Sequence, residues 1–188
     1  MSDTSELLDV IDALVAVLRQ HDVPNFITGS FASSVHGEFR ATNDVDIVAE
    51  LNAGQLASIL VDLAEAFVTD ADQAQDALSR GVGFNLIHST TYLKVDVFPC
   101  VTDFNREAMR RAVPIEFPGA RETFRVASVE DILLAKLWWF RLGGEVSEVQ
   151  QRDVRRLVEL NRQRLDMSYL THWSNVLRVT DLLARALS

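Results

Sequence analysis

The chain has a single cysteine, Cys100, and its first residues carry no basic, apolar, small-residue leader. A disulfide framework and secretion are therefore both disfavoured, and the cytoplasm is the expected location. Long apolar runs are missing too. The longest candidate, "ILLAKLWWF", is half of the roughly 18–20 residues needed to cross a bilayer and is broken by Lys136, so no membrane role is expected. There is no internal repeat and no low-complexity linker. Cations are scarce in the first half: residues 1–93 hold three basic and fourteen acidic side chains, net −11, whereas residues 94–188 hold fifteen and thirteen, net +2. The overall charge of −9 argues against non-specific nucleic-acid binding, which needs surplus cations to hold phosphates. An acidic half facing a mildly basic one suits a cleft with metal on one wall and phosphate on the other. Later helices carrying Arg on solvated faces explain it equally well.

What is present is an ordinary globular composition. With 188 residues, 48% hydrophobic and 24% charged, the chain is long enough to bury a substantial core as one domain, or one with a small helical appendage. Leu7, Leu8, Ile11, Leu14, Val17 and Leu18 recur at helical spacing and predict an amphipathic helix over 5–20, with Pro24 at its exit. "NFIT" reads as a strand ending at Gly29, and Ser30 is placed to cap a helix through about Val35. "DVDIVAE" alternates as a strand, Asn52 caps a helix over 53–65, and "QAQDALSRG" is a short helix ending at Gly81. "GFNLIHS" and "TYLKVDVFP" predict an antiparallel hairpin, and "AVPIEF" and "TFRVA" two further short strands. From Ser128 the pattern turns helical: a capping box "SVED" opens "ILLAKLWWFRL", followed by helices from about Ser147 to Arg164, over "SYLTHWSNVL", and from Thr180, read as a cap, to Leu187. The expected organisation is α/β up to about residue 127, then all-helical.

The chemistry concentrates in "ITGSFASSVHGEFRATNDVDIV". Alternate residues of a strand share a face, so Asp44 and Asp46 point the same way with Cα atoms about 6.5 Å apart. Two carboxylates this close raise each other's pKa unless something positive sits between them, and a divalent cation is the simplest candidate. Mg²⁺ takes hard oxygen ligands, and two aspartates from one strand suffice to hold or bridge two such ions. Asp96, flanked by Val95 and Val97 in "KVDVF", alternates out of an apolar strand in the same way and supplies a third carboxylate. Gly29 permits close backbone approach to a ligand, and Ser30 stands at a helix N-terminus, where unpaired N–H groups attract phosphate. A phosphate seat and three carboxylates are the parts needed for phosphoryl or nucleotidyl transfer to a hydroxyl.

In order and spacing, Gly29-Ser30, then Asp44-Val45-Asp46, then Asp96 resemble the signature of the DNA polymerase β-like nucleotidyltransferase superfamily. Within it, "GSFASSVHG…RATNDVDI", together with "SVEDILLAKLWWFRLGGEVSEVQQRDVRRL" and "YLTHWSNVLRVTDLLARAL", resembles minimal bacterial nucleotidyltransferases that include the AbiEii-type toxins. The resemblance implies an α/β (α+β) fold: a small mixed sheet flanked by helices as a catalytic core over 1–127, with a C-terminal helical bundle, 128–188, packed on it. It also implies that Asp44 and Asp46 hold two Mg²⁺ (or Mn²⁺) ions on an NTP and that Gly29 and Ser30 seat its outer phosphates. Asp96 would complete one metal site and orient or deprotonate the attacking hydroxyl, which displaces pyrophosphate. The acceptor stays open among a tRNA 3′ end, a protein and a small molecule, and a toxin role would require an antitoxin partner.

Several residues have a functional and a plain reading. Arg40 and Thr42 form the Arg-x-Thr segment typical of this group ahead of the aspartates, and Arg40 either meets a phosphate, pairs with a carboxylate, or is solvated. Lys136 lies in a helix that is apolar nearly all round, so it needs a partner: a triphosphate, Asp153 on the next helix, or escape to the surface. The AbiEii-type proteins have a comparable Lys and Asp. Lys94 shares a strand face with Asp96 and either contacts substrate or balances charge. His36 and His88 lack the pairing of a zinc site. Trp138, Trp139 and Trp173 read as packing residues in preference to base-stacking ones, and Cys100 as a small core residue. Two other functions remain open: a non-catalytic nucleotide-binding module of the same fold, and a metal-dependent nuclease.

Overall fold

The computed structural model describes residues 2–37 and 44–188, the side chains of 2–4 excepted. The helices are α1 (Ser2–Gln20), α2 (Gly29–His36), α3 (Ala53–Leu63), α4 (Ala71–Ser79), α5 (Asp103–Arg111), α6 (Val129–Leu142), α7 (Glu148–Asn161), α8 (Met167–Val176) and α9 (Thr180–Leu187). The strands are β1 (Asn25–Thr28), β2 (Asp44–Ala49), β3 (Phe67–Val68), β4 (Phe84–His88), β5 (Lys94–Pro99), β6 (Val113–Ile115) and β7 (Phe124–Val126). Among the described residues they form one seven-stranded sheet in the order β3-β4-β5-β2-β1-β7-β6. It is mixed: β2 runs parallel to β5 and β1 to β7, and the other neighbours are antiparallel. The expected α/β fold with a small mixed sheet and a helical C-terminal part is therefore the observed one.

Central strands β2 and β5 alternate as their sequences require. Val45, Ile47, Val95 and Val97 are buried, while Asp44, Asp46, Lys94 and Asp96 take the opposite parity. One continuous apolar core runs from Leu7 and Ile11 of α1 through Ile27, Ile47 and Val95 of the sheet to Ile132 and Leu133 of α6 and Leu183 of α9. Residues after 128 thus share a core with those before it.

The seat of α2 is fixed by polar ties. His36 Nε2 lies 2.8 Å from the Ala127 carbonyl, and Asn161, fully buried on α7, donates to the carbonyls of His36 (2.9 Å) and Leu157 (2.8 Å). Buried amides satisfied in this way hold a helix end in one position. Ser128 caps α6 by accepting from Asp131 N–H at 3.2 Å, as the capping box predicts.

Four local expectations are corrected. Ser30 is not a helix cap: α2 starts at Gly29, and Thr28 occupies the N-cap position without a side-chain cap bond. Thr180 is likewise the first residue of α9, behind Val179. Helix α5 is an addition to the sequence expectation, begun by Thr102, whose hydroxyl accepts from Asn105 N–H at 3.0 Å, and anchored by Phe104 and Ala108 at helical spacing. The two-residue strand β3 is also new. It exists through its pairing with His88 and Ile87 of β4, which no local pattern announces.

Candidate active site

Strand register assembles the carboxylates. Asp46 lies level with Asp96 on the neighbouring parallel strand and with Thr28 on the other side, and Asp44 lies level with Lys94. Facing residues on paired strands sit about 5 Å apart at Cα, so three aspartates and one lysine share a single patch. Asp44 is at its exposed end. Lys94 Nζ is 2.8 Å from Asp96 Oδ2, and that hydrogen bond holds the ammonium above its usual pKa. The Asp46 carboxyl is pushed up to about 6, first by burial and then by the charges of Asp44 and Asp96, with Lys136 and Lys94 pulling the other way.

Behind Asp46 stands Gly29. Its φ of +66° is a left-handed conformation that favours glycine, and a Cβ built there would fall 1.8 Å from Asp46 Oδ2. The carboxylate of β2 therefore occupies the volume a side chain at the start of α2 would need. Backbone and carboxylate are in direct contact at the N-terminus of α2.

The sheet face and helices α5, α6 and α7 enclose a cleft of about 500 Å³. Gly29, Ser30, Asp46, Lys136 and Asp153 all line it. Lys136 is buried, with its Nζ 3.1 Å from Asp153 Oδ2, so the tail of the chain delivers a cation and its counter-ion to the mouth of α2. Asp44, Lys94 and Asp96 continue the patch beyond the cleft lining. Arg40 and Thr42 lie outside the described residues.

Two sets of cleft residues were not read as site residues in the sequence. Asp131, buried on α6, lines the cleft and is held by Ser128 Oγ at 2.7 Å and Tyr169 Oη at 2.5 Å, and Arg111 stacks on the Tyr169 ring 3.8 Å from its centre. Burial pushes the Asp131 carboxyl up against those hydrogen bonds and the Arg111 charge. Its position in the capping box was the only signal it gave. The second set is an aromatic wall. Trp139, read from sequence as packing, is 46% exposed and faces Phe98 across 5.9 Å, and both line the cleft.

In chemistry, three carboxylates are the hard oxygen donors that Mg²⁺ or Mn²⁺ takes, and the opposed ionisation of Asp46 is what a cation would relieve. In arrangement, no group of three acidic, histidine or cysteine side chains among the described residues is placed to hold a metal ion. Asp96 is bonded to Lys94, and a cation would have to draw it away.

A family model described as "Nucleotidyltransferase of unknown function (DUF6036)" matches residues 5–181. The chain belongs to this nucleotidyltransferase family. Solved structures repeat the fold at low identity. An antigenic nucleotidyltransferase-like protein from Paracoccidioides brasiliensis is 17% identical, with 98% of this chain and 93% of that one covered and a TM-score of 0.59. ANT(2")-Ia in complex with adenylyl-2"-tobramycin is 14% identical over 92% and 97%, TM-score 0.60. The lincosamide antibiotic adenylyltransferase LnuA, lincomycin-bound, is 14% identical over 81% and 96%, TM-score 0.53. No curated protein matches the sequence. Among the described residues of this nucleotidyltransferase, no helix is long and apolar enough to cross a membrane.

Proposed function

We propose that the protein transfers an NMP from an NTP to an acceptor hydroxyl at the Asp44/Asp46/Asp96 patch. The observation that carries this is the contact of Gly29 with Asp46, because it joins a helix N-terminus to a carboxylate register shared with Asp96. A divalent ion such as Mg²⁺ or Mn²⁺, bound by Asp44, Asp46 and Asp96, would supply positive charge to the triphosphate. The N–H groups of Gly29 and Ser30 bind the outer phosphates in the field of α2. Lys136, from the opposite wall, neutralises phosphate charge, with Asp153 fixing its direction. Asp96, released from Lys94, accepts the proton of the acceptor hydroxyl as that oxygen attacks the α-phosphorus. A new P–O bond forms, the bond to pyrophosphate breaks, and pyrophosphate leaves toward Lys136 and α2. Arg40 and Thr42 enter this reading as auxiliary phosphate contacts on the strength of their motif alone. The core and tail, 1–127 and 128–188, act as the two walls.

Label transfer from a panel of α-³²P NTPs, with pyrophosphate release followed in parallel, tests the reading. The wild type should release pyrophosphate and Asp46→Asn should not. If neither does, and Mn²⁺ plus NTP leaves the melting temperature of the wild type unchanged, the protein is a non-catalytic module. Label cut from nucleic acid without pyrophosphate would make it a nuclease. The narrower AbiEii-type resemblance adds a toxin with an antitoxin partner in the cytoplasm; growth arrest on induction, abolished by Asp46→Asn, tests that addition.

A further inference from the structure

Along β5 the sheet face changes character: two residues beyond Asp96, on the same face, stands Phe98, level with Val48. Among the described residues the charged lining of the cleft is Asp46, Asp131, Lys136 and Asp153. Lys136 and Asp153 are paired, and Asp131 is tied to Ser128 and Tyr169. Phe98, Phe104, Trp139, Val82, Val101 and Val149 line the cleft as well, and Trp139 packs against Phe98. Those three valines and Trp139 are each between 46% and 48% exposed, so four apolar side chains of the cleft lining stand in solvent. Single exposed apolar residues need no explanation, but four gathered around a concave opening beside a polar reaction centre mark a ligand surface.

We infer that this wall is the acceptor seat and that the acceptor is a small hydroxylated molecule with an uncharged apolar ring or chain. The inference rests on the nucleotidyl-transfer reading above, since it is the Asp46–Asp96 patch that fixes where the reacting hydroxyl must lie. Among the described lining residues, a polycationic acceptor would meet no acidic group that is not already engaged by the protein or by the proposed metal, and a nucleic-acid end would meet Lys136 as the one cation. At about 500 Å³, part of it taken by the triphosphate beside Lys136, the cleft does not accommodate a folded partner. Trp139, tilted against Phe98 and Trp138, offers a ring face that stacks without needing hydrogen bonds.

Binding is measured by calorimetry with Mn²⁺ and a non-hydrolysable NTP present, using alcohols in matched pairs that differ only by a phenyl group, among them methyl and phenyl β-glucoside, and glycerol and its phenyl ether. Tobramycin and an RNA oligonucleotide ending in CCA are run beside them. The phenyl member of at least one pair should bind about tenfold or more tighter than its partner, the discrimination an apolar pocket gives. Trp139→Ala and Val101→Asp, both at exposed positions, should remove that preference and leave Mn²⁺–NTP affinity within about twofold. No phenyl preference in any pair, or tighter binding of tobramycin or RNA that is indifferent to both variants, overturns the inference and leaves the transfer reading intact. A loss of nucleotide affinity in Trp139→Ala assigns the wall to the nucleobase and overturns it equally. Failure of the wild type to bind Mn²⁺–NTP at all removes the transfer reading itself, and the acceptor seat with it.

Discussion

Gly29→Ala is the substitution whose consequences the geometry defines most closely. Two costs arise together. An alanine at φ +66° carries the left-handed penalty of about 1–2 kcal/mol. Its Cβ would also start 1.8 Å from Asp46 Oδ2, and real Cβ contacts essentially never fall below 3.0 Å, so the carboxylate has to retreat by more than an ångström. Displacement of that size at a reacting group costs on the order of a hundredfold in rate. Gly144→Ala separates the two costs: its φ is +75°, yet nothing lies within 4 Å of the Cβ that would be added. Each kcal/mol shifts Tm by about 2–4 °C in a chain of this size. Both variants should therefore melt a few degrees below wild type, while only Gly29→Ala should lose the Tm increase given by Mn²⁺ plus NTP and fall about a hundredfold in pyrophosphate release. Electron paramagnetic resonance titration of Mn²⁺ gives a further readout free of turnover. The reasoning is refuted if Gly29→Ala keeps wild-type Mn²⁺ affinity and turnover, or if Gly144→Ala loses them as well.

Two further outcomes follow from the charges around this contact. With the Asp46 carboxyl at about 6 against 3.8 for an ordinary aspartate, the folded metal-free chain holds that proton more tightly than the unfolded one; stability falls as pH rises from about 4 to 6 and stays lower above. Asp46→Asn should therefore unfold at higher urea than wild type at pH 8 in EDTA, by about 1–3 kcal/mol, with the difference closing by pH 4; equal midpoints at pH 8 would contradict it. Lys136→Met takes a buried ammonium from Asp153 and should cost about 3 kcal/mol, read as a drop in urea midpoint. Adding Asp153→Leu should restore most of that stability without restoring transfer, and a single variant as stable as wild type would show that the pair is not buried in solution.

The carboxylate patch was legible in the sequence because strand alternation is a strict rule: once "DVDIVAE" and "KVDVF" are strands with apolar residues inside, their aspartates have one face left. Their level register was not legible, since pairing of β2 with β5 is parallel and crosses two helices and the hairpin partner β4. The capping box and buried Lys136 were readable for the same local reasons. Helix α5 was overlooked because "DFNREAMRR" is dominated by polar residues; the Thr102 cap and the four-residue step from Phe104 to Ala108 were the signals available. Ser30 was misassigned as a cap because hydroxyl residues favour that place, whereas a glycine in left-handed geometry let α2 begin two residues earlier. Trp139 looked like core from its neighbours in "LAKLWWFRL", and only the position of α6 beside β5 turns it toward an opening.

How three carboxylates and a buried ion pair fold together without a divalent ion follows from where the two lysines stand. Lys94, level with Asp44 and bonded to Asp96, partly neutralises the open end of the patch. Lys136 reaches the closed end but is bonded to Asp153, so Asp46 receives only its longer-range field. Burial and its two neighbours oppose the ionisation of Asp46, which is also the carboxylate that Gly29 cradles. The metal-free state is thus strained electrostatically at that group. On the proposed transfer reading a bound cation would relieve that strain at the step that also places the phosphates against α2, so ion and nucleotide should bind with positive coupling, each tightening the other by the same factor.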